Sequence, residues 1–311
     1  MAAAIVASAR LDLTIRPAAR GKSMVVEDTG HPSGASASDQ KLRILSAVVR
    51  APVALGAAWM GGWYFATLLA VATLLMAQEV ARLLYAAPGI AVRPRDAAGL
   101  AVAGLAAIVL ATAGLPGAAL AAGGAALAFA LAVRSWNGRS MTPALIAYSY
   151  LVLPLVALIW LRNDPELGRA AIFWLLATVW AIDICAYFSS RFIGRPKLAP
   201  SISPKKTWAG LVGGMAGAAA IGVITSLWIG AGSPALLALI GIGMTVLEQA
   251  GDFFESALKR RAGVKDSGTL IPGHGGILDR VDGLVAVAAG AALLALLHNA
   301  THPGAGVLIW P

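Results

Sequence analysis

The sequence predicts an all-α, polytopic integral membrane protein, and three observations carry that expectation. Of 311 residues, 59% are apolar and 13% charged, with a mean hydropathy of +0.77; a soluble domain of this composition would expose far too much apolar surface to stay in water. Runs of Ala, Leu, Val and Gly recur along nearly the whole chain, each close to the ~20 residues that cross a bilayer. Lysine and arginine crowd into alternate connections between these runs, as they do on the inner side of a membrane.

Hydropathy places nine spans. The first, 44–61, carries Arg50 and is separated only by Gly61-Gly62 from the second, 63–84. Spans three and four, 97–114 and 117–133, are dominated by Ala, Gly, Leu and Val. The fifth, 142–161, and the sixth, 170–190, flank a polar connection. A loop rich in Pro and Lys, 191–206, leads to the seventh, 207–230, and the eighth follows at 235–251. A second long loop, 252–283, separates it from the ninth, 284–298. With a cytoplasmic N-terminus, the outer connections fall near 62, 115–116, 162–169 and 231–234, and only Arg162 and Arg169 of the 24 Lys and Arg residues lie in them. An odd number of spans explains that asymmetry directly.

The same asymmetry accounts for the net charge of +9, so no nucleic-acid partner is expected. Residues 1–42 are mixed in composition, lack the compact apolar core of a signal peptide, and are expected to form a poorly ordered cytoplasmic tail. Residues 43–161 are expected to be scaffold helices, and 162–311 to carry the catalytic loops. The single cysteine, Cys185, excludes an internal disulfide.

Chemistry gathers in the two long loops. In GDFFESALKRR, 251–261, Asp252, Glu255, Ser256 and Lys259 share one face if the eighth span continues as a helix. That pattern suits either a solvated helix end or a site, and an acid just inside a membrane boundary favours the site. Residues 265–283, KDSGTLIPGHGGILDRVDG, interleave three aspartates with Lys265, His274 and Arg280. Their glycines allow positive φ and close backbone approach, and successive N–H groups can form a nest for phosphate. Carboxylates among cations suit a divalent metal bridging protein and polyphosphate. Asp279 and Asp282 project together if the last helix begins near Ile277. His274 suits a phosphate donor, a base or a cap. In RPKLAPSISPKKTWAG, 195–210, Lys205-Lys206-Thr207 at a helix start suits phosphate or anionic lipid. Asp183 lies inside the sixth span, where an acid faces a polar cavity or a metal. The absence of GxxxxGK[ST], HExxH, CxxC and GxSxG removes P-loop ATPases, zincins, thiol redox enzymes and elbow-type serine hydrolases.

The run Ser256 to Asp282, SALKRRAGVKDSGTLIPGHGGILDRVD, resembles the signature of the phosphatidate cytidylyltransferases, or CDP-diacylglycerol synthases. Ser256, Lys259-Arg260, Lys265-Asp266, Pro272, His274-Gly275-Gly276, Asp279-Arg280 and Asp282 all keep its register. A second block, Lys197 to Gly210, resembles the family's stretch between the sixth and seventh spans. Two departures are visible: Ala209 replaces a common acid or amide, and Asp183-Ile184-Cys185 replaces Asp-Ser/Thr-Gly. The likeness covers roughly 44–298 and is weaker in the first half.

That resemblance implies a reaction in which CTP and phosphatidate give CDP-diacylglycerol and pyrophosphate with magnesium, one ion or two. The site is expected at the cytoplasmic face, where a soluble and a lipid substrate meet, and the Ala/Gly/Arg-rich composition suggests a bacterial inner membrane. Asp266, Asp279, Asp282, Lys265 and His274 are the expected catalytic residues. Asp183, Asp252, Asp266, Asp279 and Asp282 are the expected metal ligands, with Asp266 and Asp279 foremost. Lys205, Lys206, Ser256, Lys259, Arg260, Gly275, Gly276 and Arg280 are expected at the nucleotide phosphates. Membrane lipid is a partner, and a homodimer stays open. The competing expectations are a CTP-dependent lipid kinase of the polyprenol or phytol type, which releases CDP, and, more remotely, a secondary transporter using Asp183 and Asp252.

Overall fold

A computed structural model describes residues 51–85, 93–200, 202–268 and 275–311. Among these, eight helices are long and apolar enough to cross a membrane. After a shorter apolar helix, α1 (Ala51–Met60), come α2 (Gly62–Tyr85), α3 (Pro94–Thr112), α4 (Pro116–Trp136), α5 (Thr142–Arg162) and α6 (Gly168–Phe192). The second half holds α7 (Trp208–Ile229), α8 (Pro234–Arg261), α9 (Leu278–His298) and a short α10 (Pro303–Leu308). Helices are the form such runs must take, because lipid offers the backbone no hydrogen bonds. Proline at the first turn of α3, α4, α5, α8 and α10 starts each helix where an N–H is not needed.

The expected spans from 63 onward each coincide with one of these helices. Residues 44–50 of the first expected span, and the whole expected tail 1–42, lie outside the described residues. Two ends differ from hydropathy. α8 runs past 251 to Arg261, and α9 begins at Leu278 rather than 284. Both extensions are polar, and both stay helical because their charged faces pack against each other instead of meeting lipid. Arg260 and Arg261 close α8, where cations suit the negative end of the helix dipole.

The expected loop 191–206 is partly ordered as a hairpin, the one departure from an all-α chain among the described residues. Strand β1 (Lys197–Ala199) pairs antiparallel with β2 (Ser203–Thr207), Lys197 opposite Thr207 and Ala199 opposite Ser203. Thr207 then caps α7 by accepting from the Gly210 N–H at 3.0 Å, and its hydroxyl meets Ser190 Oγ of α6 at 2.7 Å. The hairpin is thereby tied to α6 and α7 at the Thr207 end of β2.

Helices in a bilayer gain little from hydrophobic association and pack instead through small residues. α7 shows why it is glycine-rich. A Cβ on Gly217 would sit 2.7 Å from Cys185 Sγ, and one on Gly222 would sit 2.5 Å from the Leu237 carbonyl oxygen. α8 and α9 cross as closely: a Cβ on Gly251 would lie 2.9 Å from the Asp282 carbonyl oxygen, and one on Gly283 2.8 Å from Glu248 Cγ. This crossing puts the end of α8 against the start of α9.

Because successive helices run in opposite directions, the bundle has two ends. One gathers the C-terminal turns of α2, α4, α6 and α8, the N-terminal turns of α3, α5, α7 and α9, and the hairpin. Among the described residues every lysine and arginine except Arg162 and Arg169 lies at this end.

Candidate functional site

Along α8, Glu248, Asp252, Glu255 and Lys259 recur at helical spacing and so face one way. The first turns of α9 present Asp279 and Asp282. With Gly251 and Gly283 removing the bulk between the helices, carboxylate oxygens of Asp252, Glu255 and Asp282 all come within 4.8 Å of one another. Three acids so close, on membrane helices, require positive charge among them.

Two lysines supply part of it. Lys206, from the hairpin, forms an ion pair with Asp252 and donates to Gln249 Oε1 at 2.9 Å. Lys259 forms an ion pair with Glu255 and donates to Asp279 Oδ1 at 2.7 Å. Glu255 is fully buried, at 0% exposure. Lys259 pairs with its Oε2, which leaves Oε1 without a hydrogen-bond partner among the described residues. A buried carboxylate with one unpartnered oxygen, and two further carboxylates at hand, fits a hard divalent cation. The trio is therefore a candidate metal centre.

Asp279 stands differently. Its oxygens accept from Lys259, from the Ser267 N–H at 3.0 Å, from the Ser267 hydroxyl at 2.9 Å and from the Gly276 N–H at 2.8 Å. A second saturated carboxylate comes from the first half of the chain. Glu79 of α2, 0% exposed, shares the single Ser267 hydroxyl proton with Asp279, its Oε2 3.1 Å from that hydroxyl, and accepts from the N–H groups of Ile277 and Leu278 at 3.0 and 2.8 Å. Those amides open α9 and have no partner within the helix, so Glu79 is a cap delivered from a distant helix.

The glycines answer to these carboxylates. Gly275 has φ +81°, and a Cβ there would meet Asp279 Oδ2 at 2.7 Å. A Cβ on Gly268 would meet Glu79 Oε1 at 2.6 Å, and one on Gly276 would collide with Ser267 Oγ and Glu79. Gly275 and Gly276, expected from sequence at a phosphate, are required by the chain's own packing.

Beside the trio opens a polar cavity of about 530 Å³, lined among others by Asp183, Arg191, Lys205, Lys206, Gln249 and Asp252. On the other side of the α8–α9 crossing lies an apolar cavity of about 470 Å³, lined by Leu145, Tyr150, Leu153, Leu247, Phe254 and Val285 among others. Tyr150 packs its ring on Phe254 with centroids 5.5 Å apart.

The structure thus brings Asp252, Asp282, Lys206, Lys259 and Asp279 together, and sets Asp183 and Lys205 on the adjoining cavity. Lys265 and Asp266 are exposed in the turn after α8, with the Asp266 side chain against Gly275. Ser256 and Arg260 lie near the end of α8, and Arg280 on the first turn of α9. His274 lies outside the described residues. Two residues were missed. The sequence places Glu255 on a helix face with Asp252 but does not single it out as a candidate metal ligand. Glu79 was passed over, although it is the only acid in its span, and an acid inside a span is itself a signal.

A model of the Cytidylyltransferase family matches residues 41–298. A phosphatidate cytidylyltransferase of Brucella suis biovar 1 (strain 1330) is 44% identical over 159 residues, 51% of this chain and 58% of that protein. One from Haemophilus influenzae (strain Rd) is 34% identical over 170 residues, 51% of this chain and 59% of that protein. One from Bacillus subtilis (strain 168) is 43% identical over 128 residues, 41% of this chain and 48% of that protein. The chain therefore spans about half the length of the curated relatives it matches. With the family model covering most of its residues, the chain belongs to the cytidylyltransferase family.

Proposed function

We propose that the protein transfers the cytidylyl group of CTP to phosphatidate, giving CDP-diacylglycerol and pyrophosphate. A phosphate oxygen of the lipid forms a bond to the α-phosphorus of CTP, the bond from that phosphorus to the bridging oxygen breaks, and its electron pair leaves with pyrophosphate. No side-chain nucleophile is needed, so catalysis rests on positioning and charge neutralisation. The observation that carries this reading is the convergence of Asp252, Glu255 and Asp282 between Lys206 and Lys259, beside a polar cavity.

In this reading Asp252, Glu255 and Asp282 hold Mg2+, which when bound neutralises phosphate charge at the attacked phosphorus. Lys205, Lys206 and Arg191 line the cavity and bind the triphosphate. Lys259 balances Glu255 and Asp279 so that the α8–α9 junction keeps its shape. The site end faces the cytoplasm of a bacterial cell across its inner membrane: its excess of cations follows the inner-side rule, and CTP is there. Placing the site at helix ends lets a soluble nucleotide and a membrane lipid reach one point. Relatives bearing the phosphatidate cytidylyltransferase name support the substrate pair.

The test is an assay of purified protein in detergent micelles with α-labelled CTP, dioleoyl phosphatidate and magnesium. Label in the lipid fraction with equal pyrophosphate is the expected result. CDP released without labelled lipid contradicts the reading and favours a CTP-dependent lipid kinase.

A further inference from the structure

We propose that Glu79 is a positioning residue of this site: its carboxylate clamps Ser267 and the first amides of α9, and so sets where Asp279 and Asp282 stand. The inference rests on the cytidylyltransferase reading only for its effect on turnover. Its structural part stands on contacts alone.

Glu79 lies 188 residues from Ser267 and 199 from Leu278, yet it is joined to both. Three donors converge on it: the Ser267 hydroxyl and the N–H groups of Ile277 and Leu278. An ionised carboxylate is acceptor-only and can take all three, whereas an amide would turn its own NH2 toward one of them. Negative charge is also favoured at a helix N-terminus. Gly268 and Gly276 leave room for this carboxylate, since a Cβ on either would collide with it. A fully buried carboxylate is expensive unless it is hydrogen-bonded, and two backbone N–H groups and a shared hydroxyl bond this one.

The consequence reaches the metal trio in two steps. Ser267, whose hydroxyl bridges Glu79 and Asp279, also gives its N–H to Asp279, which receives Lys259, the ion-pair partner of Glu255. Separately, Leu278 and Asp282 sit one turn apart on α9, so fixing the start of the helix fixes the height of Asp282. Residues that orient ligands in this way typically change metal affinity by about 10–100-fold.

The experiment compares wild type, Glu79→Gln and Ser267→Ala in detergent by thermal melting, amide hydrogen exchange, Mn2+ titration by electron paramagnetic resonance, and steady-state kinetics. In Glu79→Gln, exchange across 276–282 should rise about tenfold or more while other helices keep their protection. Mn2+ affinity should fall about 10–100-fold, and kcat should fall with the KM for CTP little changed. Ser267→Ala should show a smaller change confined to the same segment, and it carries the test if Glu79→Gln does not fold. Unchanged exchange at 276–282, or unchanged Mn2+ affinity, in a folded variant overturns the proposal. If wild type transfers no cytidylyl group, the exchange and Mn2+ arms still decide the role of Glu79, so the two failures read differently.

Discussion

The two ends of the helix bundle use the same residue types to opposite purpose. At the end away from the site, Asp164 Oδ1 accepts the N–H groups of Glu166 and Leu167, and its Oδ2 accepts that of Gly304 at 3.1 Å. Arg162 donates to the carbonyls of Ala58 and Trp59 at 2.6 and 2.7 Å. The Ser233 N–H donates to the Trp310 carbonyl at 2.7 Å, and His298 stacks on Trp310 with centroids 4.0 Å apart. Charge there is consumed in sealing backbone. At the site end, Asp252, Glu255 and Asp282 face one another, and Glu255 Oε1 has no hydrogen-bond partner among the described residues. A charge satisfied by backbone holds a fold, whereas charges that face each other need a ligand to be satisfied. The same distinction divides the site itself, where Asp279 and Glu79 belong with the sealed end and the trio does not.

Variants that sharpen this contrast have graded effects. Glu255→Gln and Asp282→Asn remove a ligand from the trio and should lower cytidylyl transfer about 10²–10³-fold. Asp282→Asn should not lower the melting temperature in the absence of metal, because it relieves repulsion with Asp252 and Glu255; a large loss of stability in that variant would argue that the trio is structural. Lys206→Met removes a cation from the cavity wall and should lower kcat/KM for CTP about 10–100-fold. The remainder should show a weaker dependence on salt, read from rates at increasing ionic strength.

Smaller effects test the frame. Gly251→Val pushes into the Asp282 backbone and should cost about 1–3 kcal/mol, with activity falling as the α8–α9 crossing opens. Asp164→Ala strands three N–H groups and should cost about 1–3 kcal/mol by melting. Turnover per folded molecule should be unchanged. Loss of turnover in that variant at a temperature where it is fully folded would erase the distinction between the two ends.

Much of this was legible from sequence, for physical reasons. Spans are local runs of apolar residues, so hydropathy located α2 to α9 within a few residues at most ends. The acids and lysines of 252–283 stand out because charge is costly near lipid. What stayed hidden was pairing at a distance. Hydropathy ended α8 at 251 because Asp252 follows, and nothing local says that this polar turn packs on α9. The glycines at 268, 275 and 276 announce close approach but not to what, and nothing local says that Glu79, Ser267 and Asp279 stand against them. Glu79 is visible as a lone acid, yet its partners lie at 267, 277 and 278. Lys197 and Thr207 pair across a loop whose prolines gave no strand pattern.

The central claim is that Asp252, Glu255 and Asp282 form a divalent cation site that serves CTP. Mn2+ titration of purified protein in detergent, followed by electron paramagnetic resonance with and without CTP, tests it most directly when wild type is set beside Glu255→Gln. The account predicts Mn2+ bound by wild type, held more tightly when CTP is present, and affinity lowered at least about tenfold in the variant. Mn2+ binding that is the same in both proteins would contradict it.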